Sequence, residues 1–115
     1  MAKTALCTKG LPNKACEALR IVGSNLAVAR KRRRWKLDDV AMRIHCTRQT
    51  VSRMEKGDPS VGIGTWIYYA FVLNLLDGFY EICKPENDRE GIWLDKESRM
   101  YLQRIREKQD RELDF

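Results

Sequence analysis

Residues 30–57 read RKRRRWKLDDVAMRIHCTRQTVSRMEKG, and this stretch decides the fold. Apolar residues recur in it at i, i+3, i+4 and i+7, namely Leu37, Val40, Ala41 and Ile44. This spacing predicts a helix over residues 37–44 with one apolar stripe against a core. Asp38 and Asp39 fall in its first turn, where the helix dipole favours negative charge.

A second short helix is predicted over residues 48–56. Thr47 is placed to act as its N-cap, and Gly57 can end it in a left-handed conformation. His45 and Cys46 form the turn between the two helices. Two short helices joined by such a turn have the layout of a helix-turn-helix.

The second of these helices presents polar and cationic side chains outward, because Val51 and Met54 point to the core. The outward set is Arg48, Gln49, Ser52 and Arg53. Arginine can bind guanine through a bidentate fork and glutamine can bind adenine in the same way, so this face can read a DNA major groove. A solvated helix face is the alternative, and the spacing and charge around the helix favour the DNA-reading interpretation.

Charge is distributed unevenly along the chain, whose net charge is +6 and whose pI is about 9.3. Residues 1–85 contain 15 Lys and Arg against 7 Asp and Glu, whereas residues 86–115 contain 7 against 9. A basic first part indicates a polyanion partner, and a mildly acidic tail indicates a different one. Simple solubilising charge is the alternative, but residues 30–56 alone hold ten basic residues and three acidic ones.

Residues 47–57, TRQTVSRMEKG, resemble the second-helix motif of the Xre/Cro/phage-repressor family, with Val40 and Ala41 as its usual first-helix pair. The resemblance implies a compact all-α, five-helix, lambda-repressor-like domain that binds double-stranded operator DNA as a homodimer. It places the base-reading positions on Arg48, Gln49 and Arg53. It also implies that Glu55 turns inward to form a structural ion pair with Arg30.

One departure from the family lies at His45, where relatives usually have glycine. The position requires a positive φ, which histidine tolerates better than most residues.

The basic run at residues 30–36, just before the predicted helix over residues 37–44, is expected to line the DNA backbone. A localisation or RNA-binding signal is the alternative. The expected backbone contacts are Arg32, Arg33, Arg34, Lys36, Thr47, Ser52 and Lys56. Trp35, within this run, is interpreted as a hydrophobic plug between helices rather than a base-stacking ring.

The chain before this region is predicted to form a loose arm and a leading helix, together residues 1–22. Pro12 suits the first turn of that helix, and Gly23 is expected to end it. Ser24 would cap a separate helix over residues 25–34. The DNA-binding domain is then assigned to residues 23–85.

An apolar helix is predicted over residues 66–74, followed by a further helix over residues 78–83. The apolar helix is too short and too interrupted to span a membrane, so other parts of the protein must cover it. One face of the apolar helix closes the core, and the remaining apolar residues suggest a two-fold dimer contact. The alternative is that all of these residues are core residues of a monomer. The interface candidates are Trp66, Tyr69, Phe71, Leu73, Leu76 and Phe79.

The C-terminal tail, residues 86–115, is predicted to be partly helical over residues 95–113. One side of that helix carries Leu94, Ser98, Tyr101, Leu102 and Ile105. The tail either packs on its own dimer or folds on a partner protein.

A second resemblance concerns residues 55–61, EKGDPSV, the following Ile63-Gly64-Thr65, and residues 87–91, NDREG. These strings resemble the HipB-like branch of the Xre family. That branch implies an antitoxin that represses its own operon and binds a HipA-like serine/threonine kinase toxin. Relatives often finish in a Leu-Pro-basic string, whereas residues 112–115, ELDF, are acidic, and this departure concerns the mode of toxin contact. A stand-alone Xre-type regulator of phage or plasmid type, with no toxin partner, is the alternative.

No cofactor, metal or catalytic centre is expected from the sequence. The four cysteines, Cys7, Cys16, Cys46 and Cys83, contain no C-x-x-C pair, and His45 is the only histidine. Catalysis through Cys46 and His45 is disfavoured because adjacent side chains seldom point at each other. No glycine-rich phosphate loop or catalytic triad is present, so we expect a cytoplasmic, non-enzymatic protein with reduced thiols.

Overall fold

The computed structural model describes residues 10–113, which are helical with no β-strand among them. The helices are α1 (Asn13–Arg32), α2 (Leu37–Arg43), α3 (Arg48–Glu55), α4 (Ile63–Val72), α5 (Asp77–Tyr80), a 3-10 helix (Pro85–Asn87) and α6 (Arg89–Leu113). The all-α prediction is confirmed. The chain forms two compact units, of which the first ends at Phe79 and the second begins at Tyr80. Nearly all of the predicted arm, with Cys7, lies outside the described residues.

α1 is one continuous helix of 20 residues, so the predicted break at Gly23 is wrong. Gly23 is buried at a close approach between α1 and α3: a Cβ atom built there would lie 2.3 Å from the carbonyl oxygen of Met54. The glycine therefore permits helix contact and does not end the helix. Ser24 lies exposed within α1 and caps nothing.

The first four helices end in the same way, with a residue in the left-handed region just beyond each helix. Their φ values are 57° at Arg34, 56° at His45, 81° at Gly57 and 61° at Asn74. After α2, the Cys46 N–H donates to the Ala41 carbonyl at 3.0 Å, which is the long bond of a Schellman motif. His45 thus adopts the positive φ that the sequence predicts for the turn.

The core of the first unit is formed by apolar side chains from α1 to α4 and the loop before α4. Its members are Leu26, Ala29, Val40, Ala41, Ile44, Val51, Met54, Val61, Trp66, Tyr69, Ala70 and Leu73. The Trp66 indole N–H donates to the Val61 carbonyl at 3.2 Å, so this large ring is buried without an unpaired donor.

The six dimer-interface candidates separate by their burial. Trp66, Tyr69 and Leu73 are at most 3% exposed within one chain, so they are core residues and cannot form a dimer surface. Leu76 and Phe79 are half-buried, and Phe79 packs against the core. Phe71 is exposed.

In the second unit, α6 begins at Arg89, six residues before the sequence predicts. Asp88 stabilises this start by accepting a hydrogen bond from the Gly91 N–H at 2.9 Å. No residue of α6 is buried. Among the described residues, no helix has the length and apolar character required to cross a membrane.

Candidate nucleic-acid interface

The N-terminus of α3 is fixed by its cap and by its buried side. The Thr47 hydroxyl accepts a hydrogen bond from the Thr50 N–H at 3.2 Å, as predicted for the N-cap. The two threonine hydroxyls lie 2.9 Å apart and share a further hydrogen bond. Val51 and Met54 are fully buried in the core. Capping and burial together set which face of α3 points outward.

That outward face carries Arg48 and Gln49, which are both exposed. Within residues 10–113 neither side chain makes a hydrogen bond or an ion pair. Ser52 and Lys56 follow on the same face at helical spacing, half-buried and exposed respectively. The face therefore offers one guanidinium, one amide, one hydroxyl and one ammonium group to an external ligand.

Arg53 is placed differently from the other predicted base readers. Its Nε lies 2.9 Å from Asp58 Oδ2, and its Nη2 donates to the Ser60 hydroxyl at 2.8 Å. Since its Nε and Nη2 atoms are already bound within the protein, Arg53 holds the loop after α3, and it would have to leave these partners to read a base with both of them.

Asp58 is the centre of that loop. It accepts hydrogen bonds from the Ser60 N–H at 2.8 Å and the Ser60 hydroxyl at 2.7 Å, besides that from Arg53. Burial alone would raise the pKa of Asp58, but the hydrogen bonds from Ser60 and Arg53 lower it below its ordinary value of 3.8. The carboxylate is therefore charged at neutral pH.

Glu55 joins three helices through its carboxylate. Arg30 of α1 binds it with two arms of the guanidinium, Nε to Oε2 at 2.7 Å and Nη2 to Oε1 at 3.0 Å. The Tyr69 hydroxyl of α4 donates to Oε2 at 2.5 Å. Arg30 also donates from Nη1 to the Trp35 carbonyl at 2.9 Å.

The electrostatics of this network follow from its geometry. The hydrogen bond to Glu55 raises the pKa of Arg30 despite partial burial. Burial and then the hydrogen bond to the carboxylate raise the pKa of Tyr69. Sequence reasoning placed Arg30 against Glu55 but missed Tyr69, because an aromatic residue in an all-apolar helix gives no local sign that its hydroxyl has a charged partner.

The basic run before α2 divides into free and bound side chains. Arg32, Arg34 and Lys36 are exposed and make no side-chain hydrogen bond or ion pair within the described chain. Arg33, by contrast, donates to the Ala29 carbonyl at 2.8 Å and to the Leu73 carbonyl at 2.8 Å. It thus caps carbonyl groups near the ends of α1 and α4, and its role as a phosphate contact stays a prediction.

Trp35 is half-buried and packs against the core, in agreement with its interpretation as a plug. The Arg43 guanidinium covers the outer side of the ring at 4.0 Å from its centroid. A cation at this distance is attracted by the ring face. Arg43 and the core together cover the indole, which disfavours base stacking by Trp35.

No group of three or more His, Cys, Asp or Glu side chains suited to a metal ion occurs among residues 10–113. Burial raises the pKa of the Cys46 thiol, which lowers its thiolate fraction at neutral pH. Cys46 therefore lacks the electrostatic environment of a nucleophilic cysteine.

Residues 21–79 match the family model of the helix-turn-helix domain, which covers 59 of the 115 residues. The chain belongs to this helix-turn-helix family. The match spans α1 from its middle to α5, including every residue of the interface described above. Comparisons with curated proteins and with solved structures gave no match. Membership indicates a DNA-binding transcription regulator, and families of this kind are typically non-enzymatic.

Proposed function

We propose that this protein is a sequence-specific transcriptional repressor whose α3 reads the major groove of operator DNA. The observation that carries the proposal is the outward face of α3, a helix held in place at both ends. Arg48 and Gln49 are exposed on this face, and their side chains have no partner within residues 10–113. Their side chains match the hydrogen-bonding edges of guanine and adenine respectively. Thr47 holds the first end, and the Glu55 network holds the second.

Contacts to the DNA backbone are assigned to those predicted backbone-binding cations whose side chains have no partner among residues 10–113. These are Arg32, Arg34, Lys36 and Lys56, with the hydroxyls of Thr47 and Ser52 near phosphate or base edges. Each phosphate contact releases condensed counterions, so its loss should reduce the slope of log K against log salt by about 0.9.

A homodimer is part of the proposal. Ile63, Ile67 and Phe71 recur every four residues on the side of α4 that faces away from the core, and they are 67%, 37% and 59% exposed. An apolar stripe of this kind suits a two-fold contact in which the same patch meets itself. Two copies would place their α3 helices roughly 34 Å apart on a palindromic operator.

The first experiment compares binding to duplex DNA from upstream of the protein's own gene with binding to a scrambled duplex, at about 0.15 M salt. Preference for the upstream duplex by about a thousandfold or more supports a sequence-reading autoregulator. Equal, weak binding to both duplexes would contradict the proposal.

Matched variants then separate base readers from backbone contacts. Arg48→Ala or Gln49→Ala should lose about 1–3 kcal/mol on the operator and little on the scrambled duplex. Arg32→Ala should weaken binding to both duplexes by a similar factor, because a phosphate contact carries no sequence information. Equal losses for Arg48→Ala on both duplexes would remove it from the reading face.

The biological setting that we propose is a toxin–antitoxin module, in which this protein is the antitoxin of a HipA-like kinase. The resemblance of residues 55–65 and 87–91 to the HipB-like branch supports this part. The test is co-expression with the product of a kinase-like reading frame adjacent to the gene: a stable complex and relief of toxicity are expected. Operator preference without any such complex would favour a stand-alone regulator.

A further inference from the structure

α6 carries an exposed stripe that no described residue covers. Spacings of three and four residues along this 25-residue helix place on one line Gly91, Leu94, Ser98, Tyr101, Ile105 and Lys108. Leu94 is 53% exposed, Tyr101 is 63% exposed and Ile105 is 38% exposed. Such spacing matches the a and d positions of a heptad repeat, which form the contact line between two paired helices.

Charged residues occur every seven positions directly beside this stripe. They are, in chain order, Glu90, Glu97, Arg104 and Arg111, at the position that precedes a in each heptad. The first two are acidic and the last two are basic. From this order we propose that α6 pairs in antiparallel orientation with α6 of a second copy of this chain.

In that orientation, all four flanking charges meet an opposite charge. Glu97 lies beside Arg104 of the second copy, and Glu90 lies beside Arg111 of the second copy. Because the pair is two-fold symmetric, each contact occurs twice. Flanking charges of this type select the partner and the orientation of paired helices.

The contact line is complementary in size in the same register. Leu94 faces Ile105 of the second copy, and the large Tyr101 faces the small Ser98. Lys108 faces Gly91, where the carboxylate of Asp88 occupies the place that a Cβ atom would take, so the lysine stem runs along the surface with its ammonium group toward solvent. The Tyr101–Ser98 pairs therefore lie at the centre of the contact line, the Leu94–Ile105 pairs lie on either side of them, and Lys108 lies toward each edge.

Parallel pairing of the same helix is disfavoured by like charges. It would place Lys108 against Lys108 and Glu112 against Glu112 on the contact line. It would also place Glu90 beside Asp95 of the second copy. No attractive flanking pair would form, because Glu97 would meet Leu102 and Arg104 would meet Gln109.

A second copy suits this surface better than a strongly charged partner does. Residues 89–113 contain seven Lys and Arg and six Asp and Glu, so the helix is almost neutral and carries both signs. The inference deepens the homodimer of the proposed function, rests on that part of it, and does not depend on operator binding.

The test is the dimer dissociation constant of the full chain, measured by sedimentation equilibrium at low salt. Glu97→Arg and Arg104→Glu should each weaken dimerisation by about tenfold, because two attractive pairs become two repulsive pairs. The double variant should return to within about threefold of the unchanged protein, because the same pairs form with their signs exchanged. Lys96→Glu, on the far side of α6, is the matched control and should change the dissociation constant less than about twofold.

The outcomes distinguish antiparallel pairing of α6 from a dimer formed through another surface and from a monomer. No effect of either single variant would overturn the pairing and leave the homodimer to another surface. Weakening without rescue in the double variant would overturn the antiparallel register. A monomeric chain would overturn both the pairing and the homodimer, and the separate preference for operator DNA would show whether DNA reading survives. Circular dichroism of each variant verifies that α6 remains helical.

Discussion

The two units of this protein handle their apolar residues in opposite ways. In the first unit, side chains such as Val40, Val51 and Tyr69 are fully buried among helices of the same chain. In the second, α6 is amphipathic and has no buried residue. Helices in proteins owe most of their stability to the packing of an apolar face rather than to intrinsic propensity. The first unit therefore supplies its own stabilising contacts, whereas the apolar side chains of α6 have no comparable burial.

The ion pairs of the two units also differ in burial, and breaking the buried pair has the largest expected effect on stability. Glu55→Ala should lower the free energy of unfolding by about 3–5 kcal/mol, because it leaves the Arg30 charge unpaired where both side chains are about a tenth exposed. The measurement is urea unfolding followed by circular dichroism. The matched change is Asp95→Ala, which breaks the Arg99–Asp95 pair of α6, whose side chains are 80% and 61% exposed; a loss under about 0.5 kcal/mol is expected. Similar losses for both variants would contradict the expectation that the buried ion pair stabilises its unit more than the exposed ion pair does.

Close packing in the first unit can be tested through its glycines. Gly23→Ala should lower the free energy of unfolding by about 1–3 kcal/mol, because the new Cβ would lie 2.3 Å from the Met54 carbonyl oxygen and α1 would have to move away from α3. Gly64→Ala is the control, since a Cβ there meets nothing within 4 Å. Within helix α4 it should instead stabilise by up to about 1 kcal/mol. Thermal melting measures both, and a stabilising Gly23→Ala would show that the helices can separate at no cost.

The smallest expected effect on stability is that of removing the Tyr69 hydroxyl, and this effect depends on pH. Tyr69→Phe should lower stability at pH 7 by about 1–2 kcal/mol through loss of the hydrogen bond to Glu55. The pKa of Tyr69 is raised by folding, so its contribution is complete below the ordinary value of 10.0 and is lost as pH rises above that value. The stability difference between the protein and Tyr69→Phe should therefore shrink from pH 9 to pH 11. A difference that stays constant over this range would mean that Tyr69 ionises equally easily in the folded and unfolded chain.

Local features of the first unit were predictable because their causes lie close together in sequence. The cap at Thr47, the positive φ of His45 and the stripe of α2 each depend on residues within a few positions of one another. The contact of Glu55 with Arg30 spans 25 residues and came instead from resemblance to a family.

Features that depend on distant partners were not predictable. A charged residue shows its charge in the sequence but not its partner, so the sequence did not reveal that Arg33 binds a carbonyl 40 residues away or that Arg53 binds a loop carboxylate. α4 is apolar on most sides, so no polar face showed that Trp66 points inward and Phe71 outward. Glycine both ends helices and permits close approach, and only the packing of α3 shows which role Gly23 has.

The carboxylate of Glu55 has a consequence for motion as well as for stability. α3 has eight residues, too few to persist alone in water, and its last residue is bound to side chains 25 and 14 positions away. Opening of α3 must therefore break contacts to α1 and α4 at the same moment, so its backbone amides should exchange with deuterium only when the whole first unit opens. A reading helix of this kind meets DNA already ordered, and binding does not have to supply the entropy of folding it.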